Sequence, residues 1–205
     1  MDAAFEAIRA GLQRLQSMPV ESGDLTAETH KYRLNPPLTE DRVRRFEAEH
    51  QVVLPSEYRD FLMLLGNGGA GPGYGLEMLG HTYGVGWGEQ PGLVGDLAQP
   101  FPYAEAWNAE PVDGTRPVEE QYRQQDVYWS PQHVNGALPI CHHGCNLREC
   151  LIVSGPEKGN MWFDDRADWQ GLHPDKKNDR NRLTFLEWYK LWIEERLLKL
   201  KSAEQ

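Results

Sequence analysis

Twelve of the twenty glycines in this 205-residue chain lie between Gly66 and Gly95. Glycine accepts positive φ and weakens the interiors of helices and strands, so such a stretch folds as tight turns and short extended pieces. It divides the chain. Segments with helical periodicity precede it, short apolar runs bounded by turn residues follow, and a helical segment closes the sequence. This order predicts an α+β fold: a mainly antiparallel sheet flanked by N-terminal helices and a C-terminal helix.

Phe5, Ile8, Leu12 and Leu15 form the stripe of an amphipathic helix that Pro19 and Gly23 end, and residues 21–37 read as a polar connection. A second helix is expected from Thr39 as N-cap, with Glu40 and Asp41 in its first turn and Val43 and Phe46 as its apolar side. Pro55 suits the first turn of a third, whose Tyr58, Phe61, Leu62 and Leu65 face the core. Leu76, Met78, Tyr83, Val85 and Trp87 are candidate strand positions, and Pro100 to Pro131 reads as irregular. Ala137–Cys141, Glu149–Ser154 and Asn160–Asp164 read as consecutive antiparallel strands. Thr184 and Glu187 form a capping box before Phe185, Trp188, Tyr189, Trp192 and Ile193, with Leu183 and Trp188 as a hydrophobic staple. The expected organisation is an N-terminal helix and connection over 1–38, one α+β domain over 39–200 and a polar tail over 201–205.

With 21 basic and 31 acidic residues the formal net charge is −10, which disfavours general nucleic-acid binding and suits a basic protein partner. No apolar run reaches the roughly eighteen residues of a membrane span, and Asp2, Glu6 and Arg9 do not fit a signal peptide. Three cysteines do not make a disulfide framework. The expectation is a soluble chain in the cytoplasm.

The best candidate for chemistry is Cys141-His142-His143-Gly144-Cys145, with Cys150 after it and His133 before it, because thiolates and imidazoles are preferred zinc ligands. The Cys-x3-Cys-x4-Cys spacing lacks the paired knuckle, and on a strand Cys141 and His142 point to opposite faces. Packing and turn roles are therefore expected, with no metal and no cofactor. The glycines follow a helix and no lysine accompanies them, so they do not form a phosphate loop. Asp164, Asp165 and Asp168 lack EF-hand spacing and are interrupted by Arg166, which reads as a solvated loop or an acidic patch facing a partner. Seven tryptophans are many for this length, and those in turn-rich sequence could anchor a protein partner. The expected partner-binding residues are Glu105, Trp107, Glu110, Asp113, Asp164, Asp165, Asp168 and Trp169. No Ser-x-x-Lys, Gly-x-Ser-x-Gly or His-Glu-x-x-His pattern occurs, so no enzyme is expected.

Leu54-Pro55-Ser56-Glu57-Tyr58-Arg59-Asp60-Phe61-Leu62, followed by Asn67-Gly68-Gly69, resembles the Leu-Pro-x-x-Tyr-x-x-Phe-Leu and Asn-Gly-Gly motifs of the SUKH superfamily. Phe101 to Asn108, His143-Gly144-Cys145, Leu151 to Gly155, Gly159-Asn160-Met161-Trp162 with Asp164-Asp165, and Thr184 to Tyr189 are similar to family segments in the same order. The resemblance runs from about Thr39 to Leu198. It implies an α+β fold without catalysis and, for the bacterial members, binding and neutralisation of a cognate toxin domain, here a basic one. Two other readings are a scaffolding or regulatory module akin to the fungal members, and a metal-dependent hydrolase centred on His142, His143, Cys145 and Asp164 or Asp165. Oligomeric state is not read from the sequence.

Overall fold

Four strands form one antiparallel sheet in the order β1-β2-β3-β4, with β1 at Ala137–Gly144, β2 at Leu147–Ile152, β3 at Met161–Asp165 and β4 at Gly171–Pro174. The computed structural model describes residues 3–18, 25–81, 94–109, 115, 117–176 and 182–203. β1 and β2 join at Cys145-Asn146, whose φ values of 48° and 67° are those of a two-residue hairpin turn with both central residues left-handed. The three expected strands are present. β4 was not expected: with glycine and proline at its ends it carries no alternation of its own, and pairing with β3 defines it.

Both faces of the sheet are covered, which is why every residue of β2 after Leu147 is buried. On one face Leu138, Ile140, Cys141, Leu151 and Met161 join the apolar sides of the helices. On the other, Ala137, Cys150, Ile152, Trp162 and Leu172 pack with Phe101 and Val134, and Tyr103 and Trp107 lie against them. A strand buried on both sides stays apolar at consecutive positions, and Cys150-Leu151-Ile152 does.

The helices are α1 (Ala3–Gln16), α2 (Leu25–His30), α3 (Glu40–Glu49), α4 (Ser56–Leu64), α5 (Val118–Tyr128) and α6 (Phe185–Ala203). In α6 the expected aromatic face is buried throughout, and the capping box is closed by hydrogen bonds from Thr184 N–H to Glu187 Oε2 (3.1 Å) and from Glu187 N–H to Thr184 Oγ1 (3.5 Å). Tyr58 and Phe61 of α4 meet Phe185 edge-on at 4.8 and 5.0 Å. α1 buries its expected stripe and also Gly11, where a Cβ would come within 2.6 Å of Ile193 Cγ2.

Two segments depart from expectation. The connection over 21–37 contains α2 and the buried Tyr32, whose hydroxyl accepts a hydrogen bond from Arg196 Nη2 (2.7 Å). The span from Pro100 to Pro131 contains α5. Its start follows ordinary rules, with Pro117 at the N-cap and Glu119 and Glu120 in the first turn, but only Tyr128 is buried. With Val118, Tyr122 and Val127 exposed, no apolar stripe marks it. Among the candidate strand positions, Leu76 makes only isolated bridges to Gly69 and Cys141, Met78 belongs to no strand, and Tyr83, Val85 and Trp87 lie outside the described residues.

The glycine-rich stretch runs beside β1. Tyr74 N–H donates to His142 O (3.0 Å) and Glu77 N–H to Ile140 O (2.8 Å). Gly73, at φ +53°, lies so close that a Cβ would sit 2.1 Å from the His142 carbonyl oxygen, so only glycine fits there. The Glu77 side chain is buried, and among the described residues its Oε1 has no hydrogen-bond partner. Burial pushes the Glu77 carboxyl up to about 8, against the pull of Arg148. Tyr58 lies within electrostatic range, and the exposed His81 ring is 3.5 Å away.

Two outcomes follow from this packing. Gly11→Leu should force α1 off α6 and lower stability by about 1–3 kcal/mol, measured by urea denaturation. Glu77 ionises near 4.5 when unfolded and near 8 when folded, so folding takes up a proton; its contribution is full below the lower value and is lost as pH rises through the upper one. Glu77→Gln should therefore flatten the fall of melting temperature between about pH 5 and 8 relative to the parent chain and raise it at pH 8. A profile identical to the parent's would mean that the carboxyl stays ionised.

Candidate functional site

Several of the expected partner-binding residues meet along the outer edge of β4. Trp107 pairs with Leu172 through reciprocal backbone hydrogen bonds of 2.8 and 2.7 Å, which lays residues 105–108 along this strand. The Trp107 ring stacks on His133 at 4.1 Å, on Tyr103 at 5.1 Å and on Tyr128 at 5.7 Å, and Tyr128 stacks in turn on Trp169 at 4.9 Å. A continuous row of near-parallel rings results, with Tyr128 buried within it and Tyr103, Trp107 and His133 half-buried. At its end Trp169 is 45% exposed and takes φ +60°, a conformation that costs a bulky residue about 1–3 kcal/mol and persists only where neighbours impose it. Asn108 Nδ2 donates to the Trp169 carbonyl at 2.7 Å and helps hold it.

Tyr103 and His133 satisfy one another within the row. His133 Nε2 lies 2.8 Å from the Val127 carbonyl, which can only accept, so that nitrogen carries the proton and Nδ1 accepts from the Tyr103 hydroxyl. Burial lowers the His133 pKa and pushes the Tyr103 phenol up to about 12, so both are neutral at physiological pH. Three carboxylates are close in sequence to ring residues of the row. Glu105 is exposed with Arg182 at 3.4 Å, Asp168 is exposed, and Asp165 is half-buried with His173 at 3.8 Å. Burial raises the Asp165 pKa; His173 opposes that shift and Asp168 adds to it.

Asp164 is the correction to the expected surface patch. It is 1% exposed, and Arg166, at 0%, grips it through Nε to Oδ1 (2.8 Å) and Nη2 to Oδ2 (2.7 Å). The guanidinium also reaches the Tyr128 carbonyl at 3.4 Å and lies 5.1 Å from the centre of the Trp129 ring. The neutralising role read for Arg166 therefore acts in the interior, where Asp164 serves the site from below and is not offered to a partner. Glu110 and Asp113 lie outside the described residues. Tyr103, Tyr128 and His133 were not among the expected site residues. Their signal was the density of aromatic residues between Phe101 and His133, which spacing alone does not assign to one surface.

The Cys/His segment is divided by the sheet. His142 stacks on Tyr74 at 4.8 Å, and its pKa is lowered by burial, then by Arg148 and His143. Cys145 is exposed in the hairpin turn, and burial pushes the Cys150 thiol up to about 12, which removes it as a nucleophile at neutral pH. The grouping of His142, His143, Cys145 and Asp164 or Asp165 as a hydrolase centre is not formed, because these side chains are split between the turn, the two faces of the sheet and the Arg166 ion pair. Cys141 and His143 instead meet Glu149, which the hairpin centred on Cys145-Asn146 sets opposite Cys141.

A family model described as SMI1 / KNR4 family (SUKH-1) matches residues 37–176. The chain belongs to the SUKH-1 family. The SUKH-1 match takes in α3, α4, α5 and the whole sheet, and therefore the entire aromatic row; it ends before α6. Among curated proteins and among solved structures none matches the chain. Among the described residues of this SUKH-1 chain no helix is long and apolar enough to cross a membrane.

Removing Asp164 should take the bidentate carboxylate from the buried Arg166 guanidinium. Asp164→Ala is expected to cost about 3–5 kcal/mol in urea denaturation, and Asp164→Leu with Arg166→Met should regain most of that loss. Equal loss in the single and double variants would show that the pair is not the source.

Proposed function

We propose that this chain is a cytoplasmic immunity protein that binds and neutralises a cognate toxin domain by direct contact through the aromatic row and acidic rim beside β4. The observation that carries this reading is Trp169, held half exposed in an unfavourable conformation at the end of a stacked row, inside the segment matched by the SUKH-1 family. SUKH families are in general non-catalytic immunity or regulatory proteins, which supports docking over turnover. Interface hot spots favour large aromatic residues that are already immobilised, since little side-chain entropy remains to be lost.

The carboxylates act at longer range. A chain of net charge −10 with Glu105, Asp165 and Asp168 around its aromatic anchors attracts a basic surface and raises the association rate more than it deepens affinity. This field is screened within about 8 Å at physiological salt.

Co-expression with the toxin domain encoded beside its gene should protect cells, and the two chains should co-purify one to one. Trp169→Ala should weaken binding at least tenfold through faster dissociation without shifting the melting temperature by more than a few degrees. Asp168→Asn should slow association and reduce its salt dependence. Absence of protection together with absence of binding at low salt would remove this reading.

A further inference from the structure

We propose that Cys141, His143 and Glu149 form a zinc site on the helix-facing side of the β1–β2 hairpin. The proposal is independent of the toxin-binding reading and concerns a different part of the molecule. Cys141 and Glu149 are cross-strand partners, and His143, two residues along β1, falls on the same face. The Sγ, imidazole nitrogen and carboxylate oxygen all lie within 4.8 Å of one another. His143 Nε2 is 3.0 Å from Glu149 Oε2. Tetrahedral zinc, with bonds of about 2.3 Å to sulfur and 2.0–2.1 Å to nitrogen or oxygen, requires ligand separations of roughly 3.0–3.6 Å. His143 is the most exposed of the three, at 30% of its side chain, and is the ligand most able to adjust.

The surroundings fit a metal better than they fit an isolated polar contact. Glu149 is 3% exposed, and Trp188 Nε1 fixes its other oxygen, Oε1, at 2.9 Å. A hydrogen bond that orients a ligating carboxylate from behind is the support metal sites use. Cys141 is 1% exposed, and its thiol donates to the Pro72 carbonyl at 2.9 Å. His143 alone of the three also borders a cavity of about 460 Å³, shared with Tyr74, His142, Asn146 and Arg148. A sulfur, nitrogen and oxygen donor set selects zinc over calcium or magnesium.

Binding is balanced by proton release. Zn²⁺ replaces the thiol proton of Cys141, which passes to solvent, and Nε2 of His143 becomes the ligand while its proton moves to Nδ1 by exchange with solvent. No electron is transferred. Affinity therefore rises with pH.

The test uses the full chain, reduced and stripped of metal, titrated with Co²⁺ as a spectroscopic probe and with Zn²⁺ against a chromophoric chelator. One equivalent should bind, with a near-ultraviolet thiolate-to-cobalt absorption band. Cys141→Ser should abolish the band, His143→Ala should weaken Zn²⁺ at least tenfold, and Trp188→Phe should weaken it about 10–100-fold. Cys145→Ser, in the turn, should change neither. Absence of the band, its survival in Cys141→Ser or its loss in Cys145→Ser would overturn the proposal. If Cys141→Ser does not fold, unchanged affinity in His143→Ala would overturn it alone, since that half-exposed ring can be removed with the fold intact.

Discussion

The buried pair between Asp164 and Arg166 ties the sheet to the surface beside it. Asp164 belongs to β3 and Arg166 to the short turn that follows, so the bidentate contact fixes how the chain leaves the strand. The same guanidinium reaches the last residue of α5 at the Tyr128 carbonyl, where a helix end favours a cation, and lies over Trp129. One side chain thus sets three neighbours at once. Two charges taken out of water gain little net stability against an apolar substitute, so the effect of the pair is positional. It decides where Tyr128 and Trp169 stand, and with them the exposed end of the aromatic row.

The sheet divides the interior into unequal parts. The larger cluster, on the helical side, carries the stability expected of a single core, while the smaller is closed by residues from the irregular span around Phe101 and Val134. A cover that is largely loop keeps its shape through ring stacking and backbone bonding to β4 instead of through regular structure. The protein places its partner-facing candidates on the lightly covered face and its carboxylate, thiol and imidazole cluster on the heavily covered one.

Most of the fold was legible in the sequence, and the failures have physical causes. α6, α1 and the first three strands were readable because burial on one stripe or at consecutive positions leaves periodicity behind. α5 buries one residue and β4 spans four, so neither leaves a pattern. Asp164 was misread because a carboxylate in a run of acids suggests water, and only the fold reveals that Arg166 turns inward to meet it. Glu149 escaped notice among the metal-type residues for a different reason: its proximity to Cys141 depends on the position of the hairpin turn, which residue types alone did not settle. Trp107 and Trp169, in contrast, could be singled out as aromatic residues in turn-rich sequence. Their meeting through Tyr128 is a product of tertiary structure.

Both outer strands are already engaged by the chain's own backbone. Tyr74 and Glu77 donate to β1, while Trp107 exchanges two bonds with Leu172 of β4, and Pro174, next along that outward side, has no N–H to give. At these described positions the rims are closed to strand augmentation, so a partner of the kind proposed would be recognised by side-chain relief. Recognition of that kind can diversify one residue at a time without touching the hydrogen-bonded ladder. The scaffold and its specificity are then free to evolve at different rates.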